Sequence, residues 1–138
     1  MEYKKILIPV AGTEADAETI RLSGRLTKKD KGKVFSLYVI TIKRSLPLDA
    51  EIDSETKLAE TVLNNVEDIA AEEGMKIDTA IIQSRDAGPA IIEEAVERAV
   101  DCILIGIKYK TAFGQFSLGS VIPYVLKHAH CPVILYQK

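Results

Sequence analysis

Short apolar runs set at regular intervals restrict this chain more than any other feature. KKILIPV at residues 4–10 is continuous and apolar, KVFSLYVIT at 33–41 is rich in β-formers, and KIDTAIIQ at 76–83, Cys102 to Ile107 and PVILY at 132–136 are similar in length. Each reads as a strand. Between them lie segments of helical character. One follows a turn at Ala11-Gly12-Thr13. Another places Leu58, Val62, Val66, Ile69 and Ala70 at helical spacing within 55–73. A third carries Ile91, Ile92, Ala95, Val96 and Ala99, and a last helix covers about 120–129. Strands buried on both faces read as unbroken apolar runs, and strands alternating with helices join as parallel neighbours. The pattern therefore predicts an α/β fold, a five-stranded parallel sheet with helices on both faces. Pro132 suits the first residue of the last strand. The one long irregular stretch, KRSLPLDAEIDS at 43–54, follows the second strand and belongs near the end of the sheet where ligands bind in such folds.

At 138 residues the chain is the size of one domain, spanning 1–138, and 47% hydrophobic with 28% charged residues is the balance of an ordinary folded protein. No apolar run approaches the roughly 20 residues of a membrane helix, and MEYKKILIPV sets charge directly against a strand without a signal-peptide core. A cytoplasmic location is expected. The net charge of −2 gives no general attraction to nucleic acid or to an anionic membrane. Cys102 and Cys131 sit in apolar surroundings, which suits reduced, buried thiols.

Chemistry concentrates at Gly119-Ser120. Proline is tolerated only in the first turn of a helix, so Pro123 starts the last helix close to Ser120. A helix N-terminus offers unpaired N–H groups and partial positive charge to an anion, and the Ser120 hydroxyl suits either an N-cap or a phosphate contact. The segment GQFSLGS at 114–120 is no Walker loop, because it lacks the lysine for the outer phosphates, and no Gly-x-Gly-x-x-Gly follows the first strand. The cluster His128-Ala129-His130-Cys131 holds metal-ligand types at a spacing that does not converge, and His128 is better explained by a helix C-terminus. Asp49, Glu51, Asp53 and Glu60 fall at EF-hand positions, but Ser54 stands where that loop needs glycine, so the segment reads as a solvated acidic loop. No metal site and no catalytic Ser-His-Asp or Cys-His arrangement is signalled.

The opening ILIPVAGTEA, the strand VDCILIG, the spacing from Gly106 to Gly119-Ser120 and the ending LGSVIPYVLKHAHCPVIL together resemble the universal stress protein family over essentially the whole chain. The resemblance implies a doubly wound sheet in the order 3-2-1-4-5, of the adenine nucleotide alpha hydrolase-like type, and dimers. In one branch it also implies an ATP or AMP held at the carboxyl ends of strands 1 and 4; the other branch binds no nucleotide. The candidate nucleotide residues carried over are Pro9, Val10, Ala11, Gly12 and Thr13 after the first strand, the backbone near Val39 and Ile40, and Gly106, Lys108, Tyr109, Gly119, Ser120 and Val121.

Two departures weigh against a full site. Where the ATP-binding branch reads Asp-Gly-Ser after the first strand, this chain has Ala11-Gly12-Thr13, and alanine offers no polar atom to an adenosine. Where the family's loop has its second glycine, this chain has Tyr109, whose ring resists positive φ and fills the space a backbone approach needs. Lys108 and Lys110 flank that position and carry charge a phosphate would attract, although lysines on loops are usually only solvated. The expected function is a non-catalytic regulatory dimer with a degenerate pocket that binds ATP weakly, binds another small anion, or binds nothing. The alternative is a genuine ATP or AMP binder with slow hydrolysis. No nucleic-acid or membrane partner is expected, no protein partner is named by the residues, and ATP or AMP is the only cofactor implied. In the order 3-2-1-4-5 the fifth strand is an edge, so Val133, Ile134, Leu135 and Tyr136 are the candidate dimer residues.

Overall fold

The computed structural model describes residues 2–27, 29, 31–107 and 121–137. The elements alternate along the chain as β1 (Lys5–Pro9), α1 (Ala15–Leu26), β2 (Lys33–Thr41), α2 (Asp53–Glu72), β3 (Asp78–Ser84), α3 (Ala87–Glu97), β4 (Cys102–Ile107), α4 (Val121–His128) and β5 (Val133–Gln137). The five strands form one sheet in the order β3-β2-β1-β4-β5, and every neighbouring pair is parallel. The architecture is the one expected from the runs. Pro132 lies one residue before β5 and passes its carbonyl to the N–H of Ile103 at 2.9 Å, so the proline begins the pairing without needing a donor.

Successive strand residues point to opposite faces, and the core divides accordingly. Ile6 and Ile8 of β1 and Cys102 and Leu104 of β4 pack with Ile20 of α1 and with Val62, Leu63, Val66 and Ile69 of α2. Leu7 of β1 and Ile103, Ile105 and Ile107 of β4 pack on the other face with Ile91 and Ala95 of α3 and Ile122 and Val125 of α4. Ser36 of β2 is buried, and its Oγ has no hydrogen-bond partner among the described residues. At the amino end of the sheet, Asp101 accepts the N–H groups of Lys4 and Lys5 on its two carboxylate oxygens, both at 2.9 Å, and ties β1 to the start of β4.

Two helix faces differ from the expected ones. Leu58 is exposed, because the inward position at the start of α2 is taken by the small Ala59 against Ile40 and Ile42. Val96 is exposed near the end of α3, and Ala99 lies beyond that helix, exposed and with φ 52°. The buried stripe of α3 is narrower than its apolar composition suggests.

Candidate functional site

In a doubly wound sheet the crevice for a ligand lies outside the carboxyl ends of the strands, where the chain order reverses. Here that point falls between β1 and β4. The last β1–β2 pair is Pro9 with Leu37, and Val10 N–H reaches the Leu37 carbonyl at 2.9 Å. Past Leu37, β2 continues to Thr41 while still paired with β3. Its backbone there is unaccompanied by strand β1, which leaves a notch at the carboxyl end of the sheet. Pro9, Val10 and the turn Ala11-Gly12-Thr13 stand on one side of this notch, Val39 and Ile40 on the other. Ile40 is buried against Ala59 and Ile42, and Val39 packs toward α3. Gly106 is the penultimate residue of β4, and Val121 opens α4. Lys108, Tyr109, Lys110, Gly119 and Ser120, with the other residues of 108–120, lie outside the described residues.

The turn after β1 has an internal occupant that sequence reasoning missed. Asp16, in the first turn of α1, is only 6% exposed, and its Oδ2 accepts the Gly12 N–H at 2.8 Å. The N–H groups of Ala11 and Thr13 are also directed at this carboxylate. A run of backbone N–H groups converging on one point is an anion-holding arrangement, and here a side chain of the same protein fills it. Burial pushes the Asp16 carboxyl above its ordinary range, and the three N–H groups oppose that shift without cancelling it. Gly12 has φ 80°, in the region that favours glycine, and a Cβ there would stand 2.9 Å from Val62. The sequence signal was an acidic residue four positions after a glycine, at a helix start where the dipole favours it.

Gly106 has a packing explanation. It faces α1, and a Cβ at this position would collide with Thr19 Oγ1 and stand 3.1 Å from the Ala15 carbonyl oxygen and 3.2 Å from the Ala15 Cβ. The glycine allows the start of α1 to approach β4 closely. On the α3 and α4 side a cleft of about 510 Å³ opens at the carboxyl ends, bounded by Thr41, Arg85, Gly88, Val121 and Tyr124. A smaller apolar cleft of about 300 Å³, with Val96 and Cys131 on its walls, lies near the start of β5 and away from the strand ends.

The remaining polar candidates are scattered. His128 ends α4 and stacks on Tyr124 with ring centroids 4.2 Å apart. Asp49, Glu51, Asp53 and Glu60 are all exposed. Among the described residues no group of three or more His, Cys, Asp or Glu side chains is placed to hold a metal ion. Cys102 is buried with the α1–α2 core, and Cys131 packs with the α3–α4 core, so the two thiols face opposite sides of the sheet and are unpaired. Burial pushes the Cys102 thiol up to about 12, with smaller contributions from Cys131 and Asp101. Cys131 is raised as well, first by burial. Neither is an activated nucleophile. No described helix is long and apolar enough to cross a membrane.

A family model described as the universal stress protein family matches residues 2–137. A universal stress protein of Methanocaldococcus jannaschii is 32% identical over 142 residues, covering 99% of this chain and 83% of that protein. The structure of a universal stress protein from Archaeoglobus fulgidus superposes with a TM-score of 0.79 at 21% identity, covering 96% of this chain and 98% of the other. A universal stress protein structure from the same organism, in complex with dAMP, gives 0.76 at 20% identity and covers 98% of each chain.

Proposed function

The chain belongs to the universal stress protein family, and from that premise we propose that it is a small regulatory protein whose nucleotide pocket is degenerate, with weak or no binding of ATP and no catalysis. The observation that carries this reading is the turn after β1. Ala11 is exposed and offers no polar side-chain atom, while the nearby carboxylate of Asp16 is buried and committed to the backbone N–H of Gly12. An adenosine meeting this end of the site finds no side-chain acceptor at position 11, and the Asp16 carboxylate is already engaged.

A second reading is favoured by the relative that holds dAMP. Under this reading AMP or ATP lies beside Val39 and Ile40 with its phosphates toward Gly119 and Ser120. We further propose that the protein works in the cytoplasm, where unpaired thiols are stable, and as a homodimer joined along β5.

Mass spectrometry of small molecules released on denaturing the purified protein tests the main reading. Release of little or no adenine nucleotide is expected. Stoichiometric AMP or ATP in the released fraction would overturn it in favour of the second reading.

A further inference from the structure

The connection from β2 to α2 is held from outside by a side chain of the neighbouring edge strand β3, Gln83, and one just past its end, Arg85. Gln83 Nε2 donates to the carbonyls of Leu48 and Ala50, at 2.8 and 3.0 Å. Arg85 Nη1 donates to the carbonyls of Lys43 and Leu46, at 2.6 and 2.8 Å, with the Ile42 carbonyl at 3.4 Å. Gln83 is the penultimate residue of β3 and Arg85 follows its last residue, Ser84, so both lie beside the connection at the carboxyl end of the strand. Guanidinium and amide N–H groups are donors that suit converging carbonyls, and the guanidinium has no acceptor to satisfy in return.

Apolar burial does not order this segment. Leu46 is 38% exposed and Leu48 47%, and Lys43, Arg44, Ser45, Pro47 and Asp49 are exposed as well. Its own backbone bonds are two turns, Leu46 N–H to the Lys43 carbonyl and Ala50 N–H to the Pro47 carbonyl, both at 3.0 Å. The ion pair of Arg44 with Asp86 spans 3.6 Å between largely exposed side chains and adds little. Among the described residues, what remains are the side-chain contacts from Gln83 and Arg85. Thr41, at the root of the segment, and Arg85 also bound the 510 Å³ cleft at the carboxyl end of the sheet.

We propose that Gln83 and Arg85 are positioning residues that set residues 43–50 as a fixed wall beside the ligand end of the sheet. This rests on the reading that the notch at the carboxyl ends is the binding site. A wall ordered in advance removes part of the ordering cost from any binding event there. Arg85 contacts the connection and no ligand is needed for it to act.

Amide hydrogen exchange on the full chain tests the assignment, comparing wild type with Gln83→Ala, Arg85→Ala, the double variant and Arg85→Lys. In the double variant the Leu46 and Ala50 amides are expected to exchange about tenfold faster or more, with β1 and α2 amides shifted less than about twofold. Arg85→Lys keeps a charged donor and should recover part of the protection that Arg85→Ala loses. Unchanged Leu46 and Ala50 amides in the double variant would overturn the proposal, and so would an equal acceleration across β1 and α2, which would mark general destabilisation. Titration with ATP separates this result from the functional reading. If exchange rises as expected and no variant or wild type binds ATP at any concentration tested, the wall stands and the notch loses its standing as a nucleotide site.

Discussion

Helices α2 and α3 end in the same way with different residues at the turn. After α2, Gly74 takes φ 67°, its N–H bonds the Ala71 carbonyl, and the Met75 N–H bonds the Ala70 carbonyl. After α3, Ala99 takes φ 52°, its N–H bonds the Val96 carbonyl, and the Val100 N–H bonds the Ala95 carbonyl. Both are Schellman endings, which favour glycine at the left-handed position. Ala99 carries the steric cost of its Cβ there, so Ala99→Gly should stabilise the protein by about 1 kcal/mol after allowing for the greater freedom of glycine in the unfolded chain. Urea unfolding with an unchanged m-value measures it; a loss of stability would contradict the argument. Asp16 makes a prediction in pH. Its folded-state pKa is raised above the ordinary 3.8 by burial, so the proton is held more tightly in the folded form. The stability this group contributes is full below about pH 3.8 and is lost as pH rises through the raised value. Asp16→Asn keeps an acceptor for Gly12 and does not titrate. The stability of wild type relative to Asp16→Asn should therefore fall across that interval, and a difference that is flat or rises with pH would refute the assignment.

At the scale of elements, the approach of α1 to β4 depends on Gly106. Gly106→Ala forces its methyl group onto Thr19 Oγ1 and should cost about 1–3 kcal/mol, the usual penalty for overpacking. Thr19 itself donates to the Ala15 carbonyl at 2.6 Å, so Thr19→Ala removes one clash at the price of that bond. The double variant should be less destabilised than the sum of the two single changes, by thermal or urea unfolding. Strict additivity would mean that the contact does not set the helix position. The strands and their alternation with helices were legible in the sequence, because runs such as ILIP and CILIGI are buried on both faces and advertise it. The site was less legible. The acid four positions after Gly12 is a weak signal, because an acidic residue in the first turn of a helix is common whether or not it turns back to hold the loop, and Gly106 carries the same letter whether it serves a ligand or a helix. Gln83 and Arg85 were also invisible, since their partners are backbone carbonyls some forty residues earlier in the chain. Leu58 and Val96 went astray for a simpler reason. Apolar spacing marks a face, and only packing against Ala59 or the edge of the sheet decides how wide the buried part is.

For the whole molecule, the strand order leaves β3 and β5 at the edges, and the two are treated differently. The connection 43–50 is bonded to the end of β3, whereas among the described residues no strand pairs with the outer edge of β5, which carries Leu135 at 37% exposure. An apolar open edge is a pairing surface. Light scattering at micromolar concentration should give the mass of a dimer, and Ile134→Lys should shift it toward a monomer; a monomeric wild type would contradict the proposed assembly. In the proposed reading the chain keeps the family's fold, while Ala11 and Tyr109 alter the ends of the pocket that would hold an adenosine and admit a phosphate. Calorimetric titration with ATP tests it most directly, on wild type, Ala11→Asp, Tyr109→Gly and the pair combined. The account expects weak or undetectable binding by wild type and a gain of about 1–3 kcal/mol in the combined variant, the scale of a recovered charged hydrogen bond. Tight binding by wild type, or no gain in the combined variant, would contradict it.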